Sequence, residues 1–401
     1  MKRLAFLFIL FLSTSLYAQK FESLALTPPM GWNSWNYFGC NVDEALIRET
    51  ADAMVTSGMK DAGYQYIVID DCWHGERDNL GFIQPDPDRF PSGMKALADY
   101  IHSKGLKFGI YSDAGWKTCA GRSGSRGYEY QDALKYAEWG VDYLKYDWCN
   151  TEDLNAKGAY MTMRNALYAA GRPIVFSLCE WGNNQPWEWG KDVGHLWRIS
   201  GDIAVIFDGE EGHGTWTSWG VLQILDMREG IRIYAGPDHW NDFDMMEVGN
   251  GMSLSEDRAH FTLWCLMASP LMAGNDLRDM SQETKEILTN KEVIAVNQDS
   301  LGIQGFKYLK KRELEIWVKP LKDNEVTICF LNRGTDTMKI EFNWEQHFIK
   351  DDFVHKEYKF DQTEYRVRDL WAKKTIGTTK KSYVSEIASH DVKLLKLIPL
   401  K

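Results

Sequence analysis

At 401 residues the chain is too long for one ordinary core, and a barrel of about 250 residues or more with a smaller second domain is the natural arrangement. With 17 Trp, 18 Tyr and 18 Phe it is rich in aromatic rings, which suit the apolar C–H faces of sugars although many must serve the core. The net charge of −11 speaks against nucleic acid or an anionic membrane as partner, and its split into +5 on residues 306–401 and −16 on residues 1–305 predicts a domain boundary near 305.

In chain order, Met1-Lys2-Arg3, an apolar run at 4–12 and small residues at 13–18 have the three parts of a secretory signal, with cleavage expected after Ala18. The apolar run is too short for a stable span, and no second run of about 20 apolar residues follows. The expectation is an exported protein, periplasmic or secreted, in a compartment that permits disulfides. No cysteine follows the small residues, which argues against a lipid anchor.

Residues 27–35 read as a strand and loop, 43–62 as a helix capped by Asp43 and stopped by Gly63, and 66–69 as a strand ended by Asp70-Asp71. A helix at 91–104, a strand at 106–111, a helix at 128–139 and a strand ending at Asp147 follow. Then come a helix at 156–170 closed by Gly171 and a strand at 174–178 leading to Cys179-Glu180-Trp181. Later units are less distinct: 197–200, a Gly-rich insertion at 208–214, 240–245, a helix at 256–267, and 270–273. Alternating strands and helices of this number predict a (β/α)8 TIM barrel over residues 19–305. From 306 the texture changes to short polar/apolar alternation (313–318, 326–330, 392–398) with turns at Asp323-Asn324 and Arg333-Gly334, so residues 306–401 read as an antiparallel β-sandwich.

Chemistry in such barrels collects where strands end. Lys145-Tyr146-Asp147 closes a strand, and its period of two puts Lys145 and Asp147 on one side. An ammonium beside a carboxylate favours the ionised acid, as a nucleophile requires. Other strand ends carry Asp70, Asp71, Asp202, Asp242 and Asp244, with Arg198 among them. A glycosidase needs two carboxylates flanking one bond, about 5–5.5 Å apart in retaining enzymes. Asp147 and Asp202 follow different strands and could face each other across a barrel mouth. The cysteines are Cys40, Cys72, Cys119, Cys149, Cys179, Cys265 and Cys329, an odd number without a Cys-x-x-Cys pair, which leaves at least one free and argues against zinc.

Eight motifs occur in order: Met30-Gly31-Trp32-Asn33-Ser34-Trp35, Asp70-Asp71-Cys72-Trp73, Gly109-Ile110-Tyr111-Ser112-Asp113, Lys145-Tyr146-Asp147, Cys179-Glu180-Trp181-Gly182, Trp197-Arg198, Trp240-Asn241-Asp242-Phe243-Asp244-Met245, and residues 291–299. Together they closely resemble the α-galactosidases (melibiases) of glycoside hydrolase family 27, in their plant and microbial forms, over about residues 24–305. The resemblance implies a retaining exo-hydrolase of α-galactoside oligosaccharides or polysaccharides, with no cofactor and no metal. It implies Asp147 as nucleophile and Asp202 as acid/base. It implies that Asp70 and Asp71 hold the sugar's O4 and O6, that Lys145 and Arg198 hold O2 and O3, that Trp35 is a pocket wall, that Tyr111 lies near the nucleophile, and that Asp244 belongs to the acid/base side. Two buried acceptors on an axial O4 and on O6 would reject the equatorial epimer by being left unpaired. The resemblance also implies the disulfides Cys40–Cys72 and Cys119–Cys149; Cys265, on an apolar helix, is expected to be buried and inert. It assigns Cys179 and Trp181 to crowd the 2-hydroxyl in the plant-like form, where the shorter animal form uses the glutamate, here Glu180. Departures are Phe243 in place of the usual proline and an insertion at 204–217, with His213 and Trp216, that either reshapes the leaving-group side or is a solvated loop. Two other readings stand beside this one: a β-L-arabinopyranosidase of the same family, since that sugar is galactose without C6, and a catalytically silent galactose-binding protein.

Overall fold

The computed structural model describes residues 20–400; the expected signal segment, residues 1–18, lies outside them. Eight parallel strands form the first unit: β1 Met30–Asn33, β2 Tyr66–Val68, β3 Lys107–Asp113, β4 Tyr143–Asp147, β5 Val175–Cys179, β6 Leu196–Arg198, β7 Trp240–Asp242 and β8 Leu271–Ala273. Neighbours pair in chain order from β1 to β7, and β8 returns to β1. Between β7 and β8 the ring is closed by the parallel bridge Met246↔Ala273, with Met246 N donating to Met272 O at 2.7 Å.

The strand period explains both the core and the site. Ile67, Leu144, Tyr146 and Trp197 point outward and pack under the helices. Tyr66, Val68, Tyr143, Val175, Leu196 and Trp240 point inward and plug the barrel. Several inward rows that start apolar end polar: Tyr143 leads to Lys145 and Asp147, Leu196 to Arg198, Trp240 to Asp242. The rows that fill the barrel therefore deliver charged side chains to its C-terminal mouth.

The helices end where their caps dictate. Asp43 accepts Leu46 N at 2.8 Å and starts helix Glu44–Thr56, and Asn155 caps Ala156–Ala170, which Gly171 closes with φ 78°. The single helix expected at 43–62 is two, because Gly58 adopts φ 86° and restarts the chain as Met59–Ala62. Helix Leu254–Leu266 carries a full capping box from Ser253 and Glu256, and nine of its residues are buried. That burial on nearly every side marks it as an element wedged between two layers.

The second unit is a six-stranded antiparallel sheet, in spatial order Phe306–Lys311, Leu314–Pro320, Val326–Asn332, Val392–Pro399, Tyr365–Asp369 and Lys374–Thr378. Its outer face (Ile316, Val318, Ile328, Phe330) shares a core with residues of two flanking strand pairs, among them Ile340, Phe342, Ile349 and Tyr358. This gives the expected sandwich. The alternate residues Trp317, Cys329, Leu331 and Leu394 turn the other way, into the core of the barrel unit. Arg258–Asp391 (2.5 Å), Arg368–Glu292 (2.6 Å) and Arg232–Asp351 (2.7 Å) rim this junction.

Candidate active site

A cavity of about 620 Å³ opens at the C-terminal end of the barrel. Of the eleven catalytic and sugar-binding residues expected from sequence, ten line it: Trp35, Asp70, Asp71, Tyr111, Lys145, Asp147, Trp181, Arg198, Asp202 and Asp244. The exception is Cys179. It is 1% exposed and lies outside the lining, its Sγ 3.8 Å from Nη1 of Arg198. The inward row of β5 puts Cys179 behind the guanidinium, which takes the wall position itself. Glu180 is turned away from the cavity, accepting the backbone N–H and the side-chain amide of Asn184 at 2.5 and 2.7 Å. Trp181, at φ 59°, swings back to the wall.

At the floor, Asp70 and Asp71 are 2% and 1% exposed. Asp70 Oδ2 accepts Lys145 Nζ at 2.8 Å and Asn33 Nδ2 at 2.7 Å, and Asp70 Oδ1 accepts Asp71 N. Asp71 is held by two backbone donors, Cys72 N at 2.6 Å and Ala120 N at 2.9 Å. Both donors belong to segments tied by disulfides, Cys40–Cys72 and Cys119–Cys149. The remaining cysteines, Cys179, Cys265 and Cys329, are free and buried. Lys145 Nζ also sits 5.4 Å over the Tyr111 ring.

Lys145 spends its ion pair on Asp70, not on Asp147. Its charge nonetheless favours the ionised form of Asp147, against the larger effect of burial. Burial pushes the Asp147 carboxyl up to about 6, Lys145 pulls against that shift, and Asp202 and Asp70 add to it. Next to it lies Asp113, part of a quoted motif but given no role from sequence. It is fully buried, accepts Gly115 N and Cys149 N at 2.6 and 2.9 Å, and is pushed to about 9 by burial and by Asp147. Only one of this adjacent pair carries charge comfortably at neutral pH.

Two and three strands further round, Arg198 Nη2 bridges Asp202 Oδ1 at 3.1 Å and Asp244 Oδ2 at 2.7 Å. Asp244, at φ 82°, also accepts Ile203 N at 2.8 Å, so it fixes the residue that follows Asp202. The Asp202 side chain is 46% exposed, against 6% for residue Asp147. One carboxylate is thus dry and the other wet, the division that a nucleophile and a proton-exchanging acid/base need. Asp242 lies outside the cavity lining and braces Asp244 N through Oδ1 at 2.9 Å. Phe243 N donates to Ser269 Oγ at 3.1 Å, a bond the proline usual at that position could not make.

Sequence reasoning missed Asn36, Asn183, Trp219 and Met245, which also line the cavity. Asn36 follows directly on the first motif, and its amide is tied to buried Glu247. The insertion is an ordered antiparallel hairpin, Glu210–Gly212 with Thr217–Trp219, and Trp216, Thr217 and Trp219 all reach the cavity. The alternation Thr217-Ser218-Trp219 was the available strand signal.

An enclosed carboxylate and an accessible one above a buried acidic floor suit the paired-carboxylate chemistry of glycoside hydrolysis. The family described as "Alpha galactosidase A" matches residues 27–299, and its "C-terminal beta sandwich domain" matches 311–397. The chain is 62% identical to α-galactosidase A of Cellvibrio japonicus over 390 residues, covering 97% of this chain and 96% of that one. It is 46% identical to the α-galactosidase of Cyamopsis tetragonoloba, covering 94% and 88%. Among solved structures, α-galactosidase I of Mortierella vinacea superposes with TM-score 0.86 at 39% identity, covering 94% and 98%. A β-L-arabinopyranosidase of Geobacillus stearothermophilus is more distant, with TM-score 0.77 and 26% identity over 94% and 97%. The chain belongs to the α-galactosidase family of glycoside hydrolases.

Proposed function

We propose that the protein is an exported, retaining exo-α-galactosidase that removes terminal α-galactosyl units from oligosaccharides or polysaccharides. The observation that carries the residue roles is the meeting, in one cavity, of Asp147 and Asp202 with the acid floor Asp70/Asp71 and the cations Lys145 and Arg198. Asp147 attacks C1 while Asp202 protonates the departing oxygen. Asp202 then takes a proton from water, which releases the sugar with its anomeric configuration kept. Asp70 retains free lone-pair capacity on Oδ1 beside Asp71, so the floor accepts from O4 and O6 of a terminal sugar. Trp181 and the Arg198 guanidinium take up the wall, which favours a 2-hydroxyl over a 2-acetamido group. Both disulfides suit an oxidising compartment, and no helix among the described residues is long and apolar enough to cross a membrane. Anionic polymers such as nucleic acid are disfavoured as partners by the net charge of −11.

The test is hydrolysis of 4-nitrophenyl α-galactoside and β-L-arabinopyranoside by the purified protein, with the first sugar anomer released read by NMR. Galactoside should be preferred by at least about tenfold, the value of one buried hydrogen-bonding group at O6, with α-galactose appearing first. A preference for the arabinoside would establish the alternative, and hydrolysis of neither would leave a binding protein.

The acid limb of activity follows from Asp147. A carboxyl with its pKa raised to about 6 is ionised, and competent to attack, only above that value. We expect kcat/KM to fall about tenfold per pH unit below an apparent pKa near 6. Lys145 opposes the rise, so Lys145→Met should move the limb to higher pH; a limb that stays in place would detach Lys145 from this role.

A further inference from the structure

We infer that the hairpin formed by Glu210–Gly212 and Thr217–Trp219 is a leaving-group subsite, in which Trp216 stacks against a neutral pyranose joined to the galactosyl unit. This deepens the α-galactosidase reading and rests on it. The atom that Asp202 protonates is the glycosidic oxygen, so whatever that oxygen carries must lie on the Asp202 side of the mouth. The hairpin stands there. Trp219 N donates to Asp202 O at 2.8 Å, and Ala204 N donates to Trp219 O at 2.8 Å, so the hairpin is rooted on the acid/base's own backbone.

At its tip, Gly214 takes φ 85° in a turn that brings His213 and Trp216 opposite one another, with His213 N donating to Trp216 O at 2.8 Å. The two rings stack with centroids 3.9 Å apart and planes at 24°. His213 is held in turn by Ser218 Oγ at 2.5 Å. One face of the indole is thus backed by a fixed ring. The residue is nevertheless 51% exposed and lines the cavity. A rigid, backed, half-open indole at the mouth of a sugar site presents the flat apolar surface that the C–H face of a pyranose covers. Asp208, Glu210 and Glu211 lie exposed on the same segment, so an anionic leaving group such as a uronic acid is repelled and a neutral aldose is accepted.

The experiment compares kcat/KM on α-galactosyl-(1→6)-glucose with kcat/KM on α-galactosyl fluoride, which has no second ring. In Trp216→Ala the ratio of the first to the second should fall about tenfold, the effect of losing about 1.4 kcal/mol of stacking. Trp216→Phe should restore the ratio to within about threefold of wild type, since a smaller ring still stacks. His213→Ala, which removes the backing, should lower the ratio in the same direction and serves if Trp216→Ala does not fold. An unchanged ratio in Trp216→Ala or, failing that protein, in His213→Ala overturns the inference. So does an equal loss on both substrates. Wild-type protein inert on both would instead overturn the α-galactosidase reading itself.

Discussion

Asp147→Asn is expected to slow turnover of α-galactosides by at least about 10⁴-fold while galactose still binds, because an amide cannot form the glycosyl ester and removal of a nucleophile forfeits the covalent route. The asparagine side chain fits the same inward position on β4 and can still accept Trp148 N, as Asp147 Oδ1 does at 3.0 Å. The loss should therefore appear in kcat, with galactose affinity by calorimetry changed far less. A chemical signature separates this role from a structural one. In Asp147→Gly, azide can enter the emptied face and attack an activated α-galactoside, giving the inverted β-galactosyl azide. Substantial residual turnover in Asp147→Asn, or an azide product of α configuration from Asp147→Gly, would remove Asp147 from the role.

Asp202→Ala should show the complementary pattern. Where the leaving group is a sugar, proton donation is needed and the rate should drop by about 10²–10⁴-fold. Where it is fluoride, the first step needs little acid and a galactosyl-enzyme should accumulate, visible by mass spectrometry as a hexosyl adduct on a peptide containing Asp147. Azide in this variant attacks the intermediate from the opposite face and yields α-galactosyl azide. Equal losses on both substrates with no adduct would mean that Asp202 supports the fold of the mouth and not the proton transfer. The 46% exposure of its side chain and its single cationic partner, Arg198, leave Ala without an obvious folding defect at this position.

Much of this site could be read before any coordinates. The residues that carry it sit at strand ends, where a run of apolar residues stops at an acid, and that punctuation is local in sequence. Asp43 announced a helix start in the same local way, whereas the helix expected from 256 begins at Leu254 because Ser253 caps it. What sequence could not show depended on which distant groups meet. Lys145 and Asp147 share a row, but the partner that takes the Lys145 ammonium is 75 residues away. Cys179 lies in the same motif as Trp181, yet the larger Arg198 from the next strand covers it. The insertion after Asp202 looked like either a solvated loop or a substrate wall, because two three-residue strands are too short to register as a pattern until their pairing is seen.

The wedged helix Leu254–Leu266 has a consequence for how the two units depend on each other. On one side, Trp264 Nε1 donates to Asp244 O at 2.8 Å, and on the other, Trp371 Nε1 from the sandwich donates to Thr262 Oγ1 at 3.0 Å. The sandwich is thus one helix removed from the aspartate that steadies Arg198. Trimming it away would wet the back of that helix and loosen the mouth from behind. For anyone transplanting this enzyme piecewise, the carboxy-terminal sandwich is a foundation and not an appendage, and damage there would masquerade as a catalytic lesion.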